Sequence, residues 1–416
     1  MQINVLLRPE QPHAPEIRLD FRTALPPHLE VAFPTARGGQ ERLERRVSGL
    51  MAADAKGMRP ITALEEPGRF RLSGPFSGRL SIRYRMLLAP AFWESPSWPL
   101  LQNVSALWDD FGFLYGRDLF PQLSGVSGAA GITFTLPPAW SVAGPRHRIP
   151  LADLAVGCWA VGRFHSHQGS GDADPCTVIT HGDFPWPDTS MAAFASRIVG
   201  HLRRRYCYGD EPMLVMTRYP RLHAAAEGLG GCTSGSTMVQ VIGTIPSPQG
   251  LLPGRWMRHL AHELTRLVLP GSVPMAADAR WFCEGGAEYL GLKTLRQLQQ
   301  LTESEYQHHL ATYRAEARRF SGEGVPSLAE AGTLQPSDPG TGVISHRSPY
   351  IVHLLDRELR AATRGRHDLE AVVSSLAAAH AERRSCFGTQ DLLRMLGAWG
   401  DFSGFFDRYI FGTEAP

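Results

Sequence analysis

Two stretches decide how this sequence is read: His259-Leu260-Ala261-His262-Glu263-Leu264-Thr265-Arg266, and Trp281-Phe282-Cys283-Glu284-Gly285-Gly286-Ala287-Glu288-Tyr289. The first lies in a segment from Arg255 to Leu269 whose apolar spacing predicts an amphipathic helix, stopped by Pro270-Gly271. The second opens another helical pattern, Trp281 to Gln300. Residues i and i+4 of a helix share a face, so His-Glu-x-x-His lets two imidazoles grip one zinc ion. The Glu between them then serves as general base on a zinc-bound water. Here position 262 is the first histidine, but position 266, where the second belongs, is arginine. Glu284, on the other helix, follows His262 by 22 residues.

Outward from these helices the chain changes character twice. Residues 1 to about 150 read as β-structure, with short alternating runs such as Arg69–Leu72, Leu80–Leu88 and Ile132–Leu136 between Pro and Gly clusters. The middle mixes strands (Thr177–Thr180, Met213–Thr217, Met238–Ile242) with a helix over Thr189–Tyr206. Helices then dominate: Arg255–Leu269, Trp281–Gln300, Glu303–Phe320, and more from Pro349 to the end. A Gly/Pro/Ser-rich connection, Ser321–Ser345, separates the last two.

A lone His-Glu pair carries no information, but the coupled pattern does. With Trp281, Glu284, Gly285 and Tyr289 matching W-x-x-E-G-x-x-x-Y, the chain resembles the M61 gluzincins, relatives of the M1 aminopeptidases. Other stretches agree in order. Leu80 to Pro137 is similar to the end of the family's N-terminal β-domain, and Gly230 to Thr237 sits where the family has a Gly-Gly-Leu-Glu-His loop. Leu354–Arg360 and Asp401–Tyr409 resemble its C-terminal helices. The likeness stops short of the PDZ domain into which M61 proteins usually continue. It implies a multidomain α+β protein: an N-terminal β-sandwich-like domain (1–155), a thermolysin-like α/β core with the motif helices (156–300) and a C-terminal α-helical domain (301–416).

The family's chemistry is what the sequence breaks. A guanidinium stays protonated and offers no lone pair, so Arg266 removes a ligand and puts a positive charge where a zinc dication would sit. The resemblance also implies a glutamate that anchors a peptide's amino terminus, where this chain has Thr233. It implies a tyrosine that stabilises the tetrahedral intermediate, but the matching position is Ser345, and Tyr350 is the nearby phenol, out of register. Expectations follow. Arg266 acts as a metal surrogate paired with Glu284, Glu263 or both, and Glu263 remains a candidate general base. Thr233, Ser234 and Tyr350 are candidate substrate contacts. His262, Arg266 and Glu284 are degenerate ligand positions at which no metal is expected, with zinc held by an altered set that recruits His259 or water as the alternative. Asp278 and Glu288 read as capping or solvent residues, and Cys283 as a buried inert thiol. His165 and His167 share one strand face, which suits a metal, but no acidic residue adjoins them to complete a set.

Composition bounds the partners. The 416 residues suit two or three domains, and a net charge of +2 gives no reason to expect nucleic acid or an acidic membrane. Lysine occurs only at Lys56 and Lys293, a bias we attribute to coding composition. No run reaches the ~20 apolar residues of a membrane span, and no signal-peptide pattern is visible at the start. Six cysteines lie scattered without C-x-x-C pairs, as expected of reduced thiols in a cytoplasmic protein. Three functions remain open: a repurposed fold that binds a peptide or small molecule in an interdomain cleft without the usual zinc, with metal-free catalysis left open; a metallohydrolase with an altered ligand set; and a non-catalytic scaffold or interaction module.

Overall fold

The computed structural model describes the chain apart from residues 23–24, 38–39, 89–103, 109, 146–147, 170–175, 185, 207–208, 210, 219–228, 243–253, 270, 272, 335–337, 339 and 384–385. It forms two compact units. The first comprises Met1–Ser166, Ile179–Phe184 and Met213–Ile245, and the second His167–Val178, Pro185–Pro212 and Pro246–Pro416.

Alternation builds the first unit. Gln2–Arg8 turns Ile3, Val5 and Leu7 inward, and Gln11–Phe21 does the same with Ile17, Leu19 and Phe21. These two strands centre a seven-stranded sheet ordered Arg148–Pro150, Ala129–Thr135, Gln2–Arg8, Gln11–Phe21, Leu80–Met86, Val47–Asp54, Gly57–Arg59. Its one parallel pair joins Gln2–Arg8 to Ala129–Thr135. A four-stranded sheet built on His28–Ala32 and Arg69–Ser73 shares the same core through Leu29, Val31 and Leu72. Phe111–Tyr115 and Cys158–Gly162 do not alternate: every residue is buried, because Leu114, Trp159 and Val161 face this core while Phe111, Phe113, Tyr115 and Ala160 face another with Val215 and Val239. A four-residue helix, α1 (Gly116–Leu119), follows the first of these strands.

A five-stranded sheet is ordered His165–Gln168, Thr177–His181, Met213–Arg218, Thr237–Ile242, Leu229–Ser234. Its last two strands make a hairpin whose turn holds Gly235 at a φ of 55°.

Helices build the second unit: α2 (Asp188–Tyr206), α3 (Gly254–Thr265), α4 (Arg280–Gln297), α5 (Glu303–Arg319), α6 (Leu328–Thr333), α7 (Gly342–Ala362), α8 (Leu369–Arg383), α9 (Thr389–Leu396) and α10 (Ser403–Tyr409). Trp256 and Trp281 are fully buried, each worth roughly 2–3 kcal/mol of apolar transfer. Trp256 lies between Trp186 and Phe194, and Trp281 donates its indole N–H to Thr389 Oγ1 at 3.1 Å. No helix of the described residues is long and apolar enough to cross a membrane. The five cysteines described, Cys158, Cys176, Cys232, Cys283 and Cys386, are free thiols.

Three expectations about elements need correction. The helix of the first motif ends at Thr265, so Arg266 starts the turn beyond it, its backbone N–H still bonded to the carbonyl of His262. The segment read as a connection, Ser321–Ser345, holds α6 and the start of α7. Ser327 and Glu330 cap α6 reciprocally, and Pro349 lies inside α7 rather than at its first turn. Gly230–Thr237, aligned with a family loop, forms instead the end strand of the five-stranded sheet and its turn.

Candidate active site

Helices α3 and α4 pack closely because a glycine permits it. A Cβ on Gly291 would stand 3.0 Å from the backbone of Ala261 and His262. On the far side of α4, Gly285 is in contact with Ser348 of α7, where a Cβ would lie 2.7 Å from the Ser348 carbonyl carbon. The approach brings the motif residues of the two helices face to face. His262 Nε2 stands 3.9 Å from Glu284 Oε2. Arg266 reaches the same carboxylate from the turn after α3, Nη2 to Oε1 at 3.5 Å, and its Nη1 lies 3.9 Å from Glu263 Oε1. Glu263 is buried, 4% exposed, whereas the side chains of Arg266 and Glu284 keep 30% and 25% of their surface.

The other imidazole nitrogen is held more tightly. His262 Nδ1 lies 2.8 Å from Glu288 Oε2, and the Tyr313 hydroxyl of α5 donates to Glu288 Oε1. Burial alone would lower the His262 pKa. The hydrogen bond to Glu288 and the charges of Glu288, Glu263 and Glu284 outweigh that effect and raise it. Burial would likewise raise Glu288, but the His262 hydrogen bond and charge, the Tyr313 hydroxyl and the Arg258 charge bring it down to about 2. The expectation of a capping or solvent role for Glu288 is therefore wrong. As the residue one turn beyond Glu284, it shares the face that meets α3. Asp278, by contrast, works near its expected role: it precedes α4 and caps α9, accepting the Thr389 N–H at 3.1 Å.

His259, one turn before Glu263, has its Nε2 buried without a hydrogen-bond partner, and burial lowers its pKa. Arg258 donates to His309 Nδ1 at 3.2 Å, so His309 is held as a neutral acceptor, its pKa lowered by burial and by that arginine. Cys283 is buried, and burial first, then the Glu284 charge, pushes its thiol up to about 12, as befits an inert residue.

The remaining candidates belong to other elements. Tyr350 is buried in α7 with its ring 5.6 Å from that of His353. Thr233 and Ser234 belong to the first unit, on the end strand Leu229–Ser234, where the Ser234 hydroxyl donates to the Val156 carbonyl at 3.0 Å.

The donor set fits a zinc ion poorly. Among the described residues His262, Glu263 and Glu284 do not bring three ligand atoms within 4.8 Å of one another. The group between the carboxylates is a cation without a lone pair. What remains is one imidazole fixed by a carboxylate, the arrangement that orients metal-ligating histidines, beside a guanidinium shared by two glutamates.

No protein-family model matches the chain, and no curated protein matches it in sequence. Solved structures do. An aminopeptidase N family protein from Idiomarina loihiensis superposes with a TM-score of 0.83 at 15% identity, over 99% of this chain and 76% of that one. An M1 zinc metallopeptidase from Deinococcus radiodurans gives 0.60 at 16% identity, over 100% and 93%. The fold is M1 peptidase-like. A mutant of the Deinococcus enzyme bound to a Tyr-Ser-Ala substrate matches equally well, with a TM-score of 0.60 at 14% identity over 100% and 94%. At such identities the likeness concerns the M1-like fold alone.

Proposed function

We propose that this chain is a degenerate M61-type member of the M1-like fold, which binds a peptide or small molecule beside its motif helices without the usual catalytic zinc. The observation that carries the reading is the place of Arg266: its guanidinium lies 3.5 Å from Glu284 and 3.9 Å from Glu263, among the carboxylates a metal would need. Losing a ligand and gaining a positive charge at one position opposes zinc twice. A zinc hydrolase with an altered ligand set is the second reading, favoured only by the unpartnered Nε2 of His259.

Arg266→His tests the choice. The substitution removes the competing cation and supplies a second imidazole, which completes a three-ligand set with His262 and Glu284. The variant should show a larger zinc-dependent rise in Tm than the parent, and adding His262→Ala should return that rise to the parent's level, while the parent shows no rise that depends on His262. The parent should also fail to cleave aminoacyl reporter substrates. Chelator-sensitive turnover by the parent, lost on His262→Ala, would refute the metal-free reading in favour of the second.

A further inference from the structure

Away from the motif helices, the strand His165–Gln168 carries two imidazoles. Side chains two apart on a strand leave the same face, so the strand itself sets His165 beside His167. Asp188, the first residue of α2, brings its Oδ2 to 3.2 Å from His167 Nε2. One ligand atom from each of His165, His167 and Asp188 lies within 4.8 Å of the other two, and among the described residues no other group of three His, Cys, Asp or Glu meets that condition. His165 is exposed and the other two are half-buried, which leaves a path for an ion. Bonds of about 2.0 Å in a tetrahedral site put ligand atoms roughly 3.3 Å apart. The His167–Asp188 pair already has that spacing, and rotation of the exposed His165 ring supplies the rest.

We propose that His165, His167 and Asp188 form a binding site for one first-row divalent metal ion of the zinc class. Two imidazoles and one carboxylate are borderline donors that favour Zn2+, Co2+ or Ni2+ over the harder Mg2+ and Ca2+. Three protein ligands leave a position for water. The sequence alone hid the site because Asp188 stands 21 residues beyond His167.

The test is titration of the metal-free full chain with Co2+, followed by its visible d–d absorption. The band should saturate at one equivalent and be displaced by Zn2+. His165→Gln and Asp188→Asn should each abolish it, with far-UV circular dichroism confirming the fold; exposed His165 is the safer substitution. His262→Ala should leave the band unchanged. Absence of a saturable band, or its survival in both ligand variants, overturns this site and leaves the reading of the motif helices untouched. A band lost only on His262→Ala overturns both.

Discussion

Helix α4 carries charged side chains into two places. Toward its C-terminal end Lys293 meets Glu370 at 3.0 Å, Asp368 at 3.1 Å and Asp356 at 3.7 Å. Asp356 in turn accepts the Tyr289 hydroxyl and the Leu369 N–H, both at 2.7 Å. Toward the N-terminal end Glu284 meets, among the described residues, longer contacts, 3.5 Å from Arg266 and 3.9 Å from His262, with a quarter of its side chain in solvent. The first network is closed by short, buried bonds, which is what a buried ion cluster needs to repay its desolvation. The second is held by longer, partly exposed contacts.

Substitutions can break or sharpen this contrast. The largest effect should come from Lys293→Met, which removes the buried cation shared by Asp356, Asp368 and Glu370 and leaves them to the more exposed Arg360 and Arg205. We expect a loss of about 3 kcal/mol, read as a lower denaturant midpoint. A loss below about 1 kcal/mol, the range of exposed pairs, would mean the network is not the closed structure described.

The His262–Glu288 pair stands between the extremes and should appear in the pH dependence of stability. The raised histidine contributes fully below its unfolded value of about 6.5 and loses its contribution as pH rises through the folded pKa. The depressed glutamate contributes fully above about 4.3 and loses its contribution as pH falls toward about 2. The pair therefore supports the fold best between those unfolded values. Glu288→Gln should flatten the profile on both flanks, and an unchanged profile would show that the pair is not formed in solution.

The smallest effect belongs to Arg266→Ala. If its pairs were fully buried the loss would approach that of Lys293. With 30% of the side chain exposed and contacts of 3.5–3.9 Å, solvent screens them, and we expect about 1 kcal/mol or less, as for partly exposed ion pairs. A loss as large as that of Lys293→Met would erase the difference between the two ends of α4.

The periodicity of apolar residues was enough to find α2, α3, α4 and α5 to within a few residues, because each has a buried stripe long enough to dominate its neighbours. The start of α7 was hidden by Pro349, read as a helix beginning although the helix runs through it. Helix α6 left a readable sign, the Ser327-x-x-Glu330 capping box, that the surrounding Gly and Pro outweighed. At the site, His262, Arg266 and Glu284 were legible as a motif. Glu288 was misread as a capping or solvent residue although one helical turn separates it from Glu284, and its partner Tyr313 comes from α5 through tertiary packing that no local spacing encodes.

Two of the three glycines of α4 have a meaning for anyone who would redesign this protein. Gly291 lies against the backbone of Ala261 and His262, and Gly285 against Ser348, so the helix is wedged at both flanks with no side chain to yield. A side chain added at either position would have to push the neighbouring helix aside. Whatever activity is grafted onto Glu284 and Glu288 must keep this helix spacing, and the first residues to leave alone are Gly285 and Gly291.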